Sequence, residues 1–120
     1  MTGSGLRLTL VETRGPLAVA AVGGEMDLHT APDLRRQATA LIGDHPHLIL
    51  DLSGVTFCDS SGLNALLRLR RHAGENGGRL PLAAPTDRIT RMLRLTGADT
   101  VLPLHADVAE ARAARPSDVR

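Results

Sequence analysis

The alternation of apolar and polar positions divides the chain into short segments of two kinds. Leu6, Leu8 and Leu10 alternate with Arg7 and Thr9, the period of two that marks a half-buried strand. Arg14-Gly15-Pro16 breaks the pattern, and residues 17–22 form a second apolar run. So short a turn between two runs predicts an antiparallel hairpin. Gly23-Gly24-Glu25-Met26-Asp27 then leads to Thr30. Thr30 with Asp33 resembles a capping arrangement, with Pro32 in the first turn. Leu34, Ala38, Leu41 and Ile42 have helical spacing, and the first helix should end near Gly43.

Residues 47–52 are almost continuously apolar and read as a central strand buried on both faces. Residues 53–58 read as a crossing to a second helix, which starts at Asp59-Ser60-Ser61 and runs to about Asn76. Leu63, Leu66, Leu67 and Ala73 share one face of it, and Leu69 widens that face. Arg68, Arg71 and Glu75 point outward, while Arg70 lies near the apolar face with its charged head reaching to water. Asn76-Gly77-Gly78 stops the helix. Residues 79–83 form a short strand whose pairing Pro81 interrupts. Thr86 or Asp87 caps a third helix that turns Ile89, Met92 and Leu93 inward and ends at Gly97. Residues 101–104 are the last strand, and Asp107 opens a final helix through about Ala114. The order β-β-α-β-α-β-α-β-α predicts one α/β domain with a mixed, mostly parallel sheet and an antiparallel N-terminal hairpin. That domain spans 1–120, with its core at about 6–112 and a flexible tail at 113–120.

Composition narrows the function classes. The 120 residues suit one domain, 42% hydrophobic and 22% charged. Phe57 is the sole aromatic residue, so the core is aliphatic and the chain offers no stacking platform for single-stranded nucleic acid. A net charge of +1 gives no strong pull toward nucleic acid or membrane. Cys58 is the only cysteine and has no internal partner, which fits a reducing cytoplasm. The N-terminus lacks a basic-then-apolar leader pattern, and no apolar run is long enough to span a bilayer. His29, His45, His47, His72 and His105 are scattered without metal-ligand spacing. No phosphate-binding glycine motif is present, so no cofactor and no metal are expected. Arg68, Arg70 and Arg71 form a basic patch, read as a solvated helix face.

The informative stretch is Val55-Thr56-Phe57-Cys58-Asp59-Ser60-Ser61-Gly62-Leu63, an apolar strand that enters a helix through three polar residues and a glycine. Helix N-termini carry free N–H groups and partial positive charge, and a serine there is accessible to modification. Asp59, Ser60 and Ser61 are also all good N-caps, so capping alone could account for them. A nucleophile elbow is a third reading, with His105 as base. That motif wants glycine two positions before the serine, and Cys58 stands there.

Gly24-Glu25-Met26-Asp27, Leu50-Asp51-Leu52-Ser53 and Asp59-Ser60-Ser61-Gly62-Leu63 together resemble the anti-sigma factor antagonists of the STAS family. Arg91-Met92-Leu93-Arg94-Leu95-Thr96-Gly97 with Val101-Leu102-Pro103-Leu104 extends the resemblance over most of the chain. The resemblance implies a catalytically inert binding module. Ser60 is then the phosphoacceptor, and the partner is an anti-sigma factor that is also an ATP-dependent serine kinase. The unmodified form binds this kinase and frees the sigma factor, phosphate on Ser60 ends binding, and a phosphatase restores the serine. Asp27, His29, Asp59, Ser61, Gly62 and Asn64 are the implied partner-binding residues. Asn64 departs from the glycine common in sporulation-type members. Within the family, a subunit of a stress-signalling complex or of a lipid-transport system is the alternative. A monomer or weak dimer is expected.

Overall fold

A computed structural model describes residues 5–114. The elements are β1 (Leu6–Arg14), β2 (Leu17–Met26), α1 (Ala31–Asp44), β3 (His47–Cys58), α2 (Ser60–Glu75), β4 (Leu82–Ala83), α3 (Asp87–Leu95), a 3-10 turn (Ala98–Thr100), β5 (Leu104–His105) and α4 (Val108–Ala113). The five strands lie side by side in sequence order. β1 and β2 are antiparallel, and β3, β4 and β5 follow in parallel. This is the predicted mixed sheet with an antiparallel hairpin.

The alternating pleat assigns the two faces of the sheet. Ala18, Ala20, Val22, Leu48, Leu50 and Leu52 point to one face and pack against Leu34, Ala38 and Ile42 of α1, Leu66 and Leu69 of α2, and Ile89 and Leu93 of α3. Val19, Ile49 and Ala83 point to the other face, where Ala111 of α4 meets them. The first layer holds most of the core. The second is a small cluster under one short helix. The apolar run in β3 is thus buried on both faces, as its composition predicts.

Several boundaries differ from the sequence reading, each for a local reason. β2 continues through Gly23, Gly24 and Glu25 to Met26, and β3 continues through residues 53–58, which the pattern assigns to connections. The extensions carry register shifts between Ala21 and Gly23 and between Gly24 and Glu25. Such irregularities reset the period of two and hide a strand from pattern analysis. Gly24 has φ +99, and a Cβ there would lie 2.0 Å from the carbonyl oxygen of Gly5. Its backbone therefore requires glycine. In β1, Leu10 is exposed rather than half-buried, and Val11 beside it is exposed too, since a third shift falls between Leu10 and Glu12. The last strand is Leu104–His105, displaced from the predicted 101–104 by the 3-10 turn that follows left-handed Gly97. Pro81 lacks an N–H but its carbonyl accepts from Leu50 N at 3.1 Å, so β4 pairs fully only at Leu82–Ala83. Thr86 caps α3 through a hydrogen bond from Ile89 N at 3.3 Å, and Asp107 caps α4 through one from Glu110 N at 2.8 Å. The predicted tail begins inside α4, which includes Ala113, and its residues 115–120 lie outside the described residues.

Candidate functional site

Two connections meet at the C-terminal ends of β2 and β3, where ligands and partners collect in open parallel sheets. One runs from Asp27 to Thr30, and the other is Asp59. The backbone ties them together: Asp59 N donates to Met26 O at 3.1 Å, and Met26 pairs with Cys58. Asp27 and Asp59 are thereby brought to one end of the sheet, although 32 positions separate them in the sequence.

Asp59 is the N-cap of α2. Its Oδ1 accepts from Ser61 N at 2.8 Å and from Gly62 N at 3.1 Å. Of the three polar residues that could cap this helix, the carboxylate does so, and Ser60 is left exposed on the first helical residue. Capping therefore does not account for Ser60. Ser61 is half-buried and Asn64 is exposed one turn further on. Gly62, by contrast, is buried and presents no surface. A Cβ there would stand 2.4 Å from Met26 O and 2.9 Å from Cys58 Sγ. The lack of a side chain at Gly62 lets α2 start flush against β2.

Asp27 organises its own loop. Its Oδ1 accepts from His29 N at 2.9 Å and from Thr30 N at 3.0 Å. Thr30 Oγ1 in turn accepts from Asp27 N at 2.9 Å and donates to Glu25 O at 2.7 Å. Thr30 thus closes the loop instead of capping α1 with Asp33, and Asp33 pairs with Arg36 and Gln37 on the helix surface. His29 is exposed on the same loop.

The sequence reading overlooks two residues here. Leu28 is 67% exposed, and Phe57 is 41% exposed three residues before Ser60. Leu28 joins Ser61, Asn64, Pro32, Arg35 and Arg68 around a shallow groove of about 270 Å³ between α1 and α2. The available signal was an apolar residue inside the polar stretch Asp27-Leu28-His29-Thr30, with no period that could bury it.

The remaining candidates separate. Arg68 lines the α1 side of α2, and Arg70 and Arg71 line the opposite side near Arg79. Arg70 Nε donates to Val101 O at 2.8 Å, so it anchors the turn after α3 rather than snorkelling freely. The three arginines do not form one patch. Cys58 is half-buried, and burial, reinforced by the Asp59 charge, pushes its thiol up to about 12, which makes it an inert apolar filler.

The elbow reading fails on register. His105 pairs with Ala83 and Ala83 with Asp51, while β3 runs on to Cys58 before Ser60 appears. That extra strand length is roughly 20 Å at about 3.3 Å per residue, far outside proton-transfer range. His105 Nδ1 instead lies 3.5 Å from Glu110 Oε1. His105 therefore cannot serve as a base for the exposed Ser60 hydroxyl.

Comparison with known proteins gives this surface a context. An anti-sigma F factor antagonist of Paenibacillus polymyxa is 28% identical over 102 residues, covering 83% of this chain and 86% of that protein. The crystal structure of an anti-sigma factor antagonist from Mycobacterium paratuberculosis superposes with a TM-score of 0.79 and 31% identity, covering 89% of this chain and 91% of the other. A Bacillus cell fate determinant solved in its phosphorylated form shares the fold at a TM-score of 0.69 and 23% identity, over 88% of this chain and 96% of that one. The STAS domain model matches residues 9–111, nearly the full length, and the chain belongs to the STAS domain family.

Proposed function

We propose that this protein is an anti-sigma factor antagonist switched by phosphorylation of Ser60. The unmodified form binds an anti-sigma factor with ATP-dependent serine kinase activity and so releases the sigma factor. The observation that carries this reading is the division of labour at α2: Asp59 supplies the cap, and the Ser60 hydroxyl stands exposed beside it. The names of the relatives support the antagonist role, and the phosphorylated relative of the same fold supports a phosphate switch.

The partner face comprises Asp27, His29, Asp59, Ser61 and Asn64, joined by Leu28 and Phe57 as apolar anchors. Phosphate adds about −1.5 to −2 charge at Ser60. The N–H groups of Ser61 and Gly62 are already taken by Asp59, so the phosphate remains at the surface next to a carboxylate. Burying that dianion in an interface costs desolvation and like-charge repulsion, and each ~1.4 kcal/mol weakens binding tenfold. The switch acts locally, without refolding. Among the described residues no helix is long and apolar enough to cross a membrane, and we place the complex in the cytoplasm, with a phosphatase to reset it.

The test is a binding screen against kinase-type anti-sigma factors of the source organism, with and without ATP. ATP should release the wild type, and Ser60→Ala should stay bound. No binding to any of them would refute the proposal.

A further inference from the structure

The face of the sheet away from α1, α2 and α3 is only partly covered. Among the described residues the six-residue helix α4 is the roof of its apolar cluster, where Val19, Ile49 and Ala83 are buried and Leu17 is half-buried at the edge. Beside α4, at the N-terminal ends of β2 and β3, the uncovered part forms a groove of about 670 Å³. That volume is within the range of small-molecule sites. Exposed Pro16, half-buried Leu17 and the exposed alanines of α4 supply its accessible apolar surface, above the buried Ile49 and Pro81. The charged side chains that line it, Arg14, Arg79 and Arg112, are all cationic, and His47 lies among them.

These cations are not equivalent. Arg112 is held by Glu12 in a two-pronged pair at 2.7 and 2.8 Å, which clamps α4 to β1 and neutralises that charge. Arg14 lies at 3.9 Å from the same carboxylate. Arg79 has no salt-bridge partner among the described residues. It is half-buried where its backbone bridges to His47, in the lining of the groove. An unpaired guanidinium beside an apolar surface is complementary to an anionic head on an apolar body.

We propose that this groove binds a small amphiphile with one carboxylate or phosphate head, the head on Arg79 and the apolar tail on Pro16 and Leu17. The shape selects a monomeric, soluble ligand over a membrane. The groove is flanked by α4 and the strand ends, whereas interfacial binding lays a continuous apolar face on the bilayer. The site lies at the opposite end of the strands from Ser60.

The test uses the full-length protein and decanoate below its micellar concentration, read by amide chemical shifts and calorimetry. Decyltrimethylammonium and phosphatidylglycerol vesicles serve as comparisons. Saturable one-to-one binding is expected, with shifts at Leu17, His47, Ile49, Arg79 and residues 109–114. Arg79→Gln should weaken it about tenfold, matching loss of a charge-assisted pair worth ~1.4 kcal/mol. Ala109→Phe, a change at an exposed position of the lining, should fill the groove and abolish binding without unfolding the chain. Any of three results overturns the proposal: no shifts in the groove, equal affinity for the cationic amphiphile, or binding only to vesicles. Undiminished affinity in both folded variants would do the same.

Discussion

Removing the Asp59 carboxylate should destabilise the protein, and removing the Ser60 hydroxyl should not. Asp59→Ala strips the cap from the longest helix and leaves the N–H groups of Ser61 and Gly62 without their acceptor. Cap loss typically costs about 1 kcal/mol, and the lost charge at the positive helix end adds about 0.5 kcal/mol. Gly62 is buried, so its N–H is not readily recovered by water, and the sum approaches ~2 kcal/mol. For a domain of this size that lowers Tm by about 8 °C. Ser60→Ala alters an exposed first-turn residue and should stay within ~0.5 kcal/mol of wild type. Urea denaturation followed by circular dichroism measures both, with unchanged m-values as the check on two-state behaviour. If Ser60→Ala loses as much as Asp59→Ala, the serine is the effective cap and its exposure has been misread.

Four further expectations follow from individual residues. Asp27→Ala should lower stability by about 1 kcal/mol, because it removes the acceptor for two loop N–H groups, whereas Asp27→Asn keeps an acceptor and should isolate any effect of charge on partner binding; thermal melts paired with binding measurements separate the two. Gly62→Ala should destabilise by roughly 1–3 kcal/mol, since its methyl would collide with Met26 O, and a melt that matches wild type would contradict the close approach. Cys58, pushed up to about 12, should resist iodoacetamide at pH 8 in the native protein and react promptly in denaturant, and fast native labelling would show that the thiol is reached. The Arg112 pair holds the Glu12 carboxyl below its ordinary value, so its contribution is present above the unfolded carboxylate range and fades as pH falls through the folded value; Glu12→Gln should therefore narrow the stability gap between neutral and acid pH.

What the sequence disclosed depended on regular periodicity. The core of β3 and the inward faces of α1, α2 and α3 were legible because Leu48, Leu50, Leu34, Ile42, Leu66, Ile89 and Leu93 recur at strand or helix spacing. The far ends of β2 and β3 were not, because glycines and register shifts at Gly23, Gly24 and Gly54 interrupt the alternation that defines a strand. Those same ends set the position of the site. The Asp59-Ser60-Ser61 signature located the site but could not apportion capping among three competent residues, which only hydrogen-bond geometry decides. The packing demand on Gly62 was not legible, because sequence does not show that a Cβ there would meet Met26 O and Cys58 Sγ. Thr30 looked like a cap because its partners, Asp27 and Glu25, lie upstream in a turn rather than downstream in the helix.

The central claim is that phosphate on Ser60 abolishes binding to a kinase-type anti-sigma factor while the fold persists. The most direct measurement compares the partner affinity of the unmodified protein with that of protein stoichiometrically phosphorylated by the same kinase, after peptide mass spectrometry has located the phosphate. The account predicts a single phosphate on Ser60, an unchanged circular dichroism spectrum and at least a hundredfold loss of affinity, about 2.7 kcal/mol. Phosphate on Ser61 instead, or equal affinity of the two forms, would contradict it.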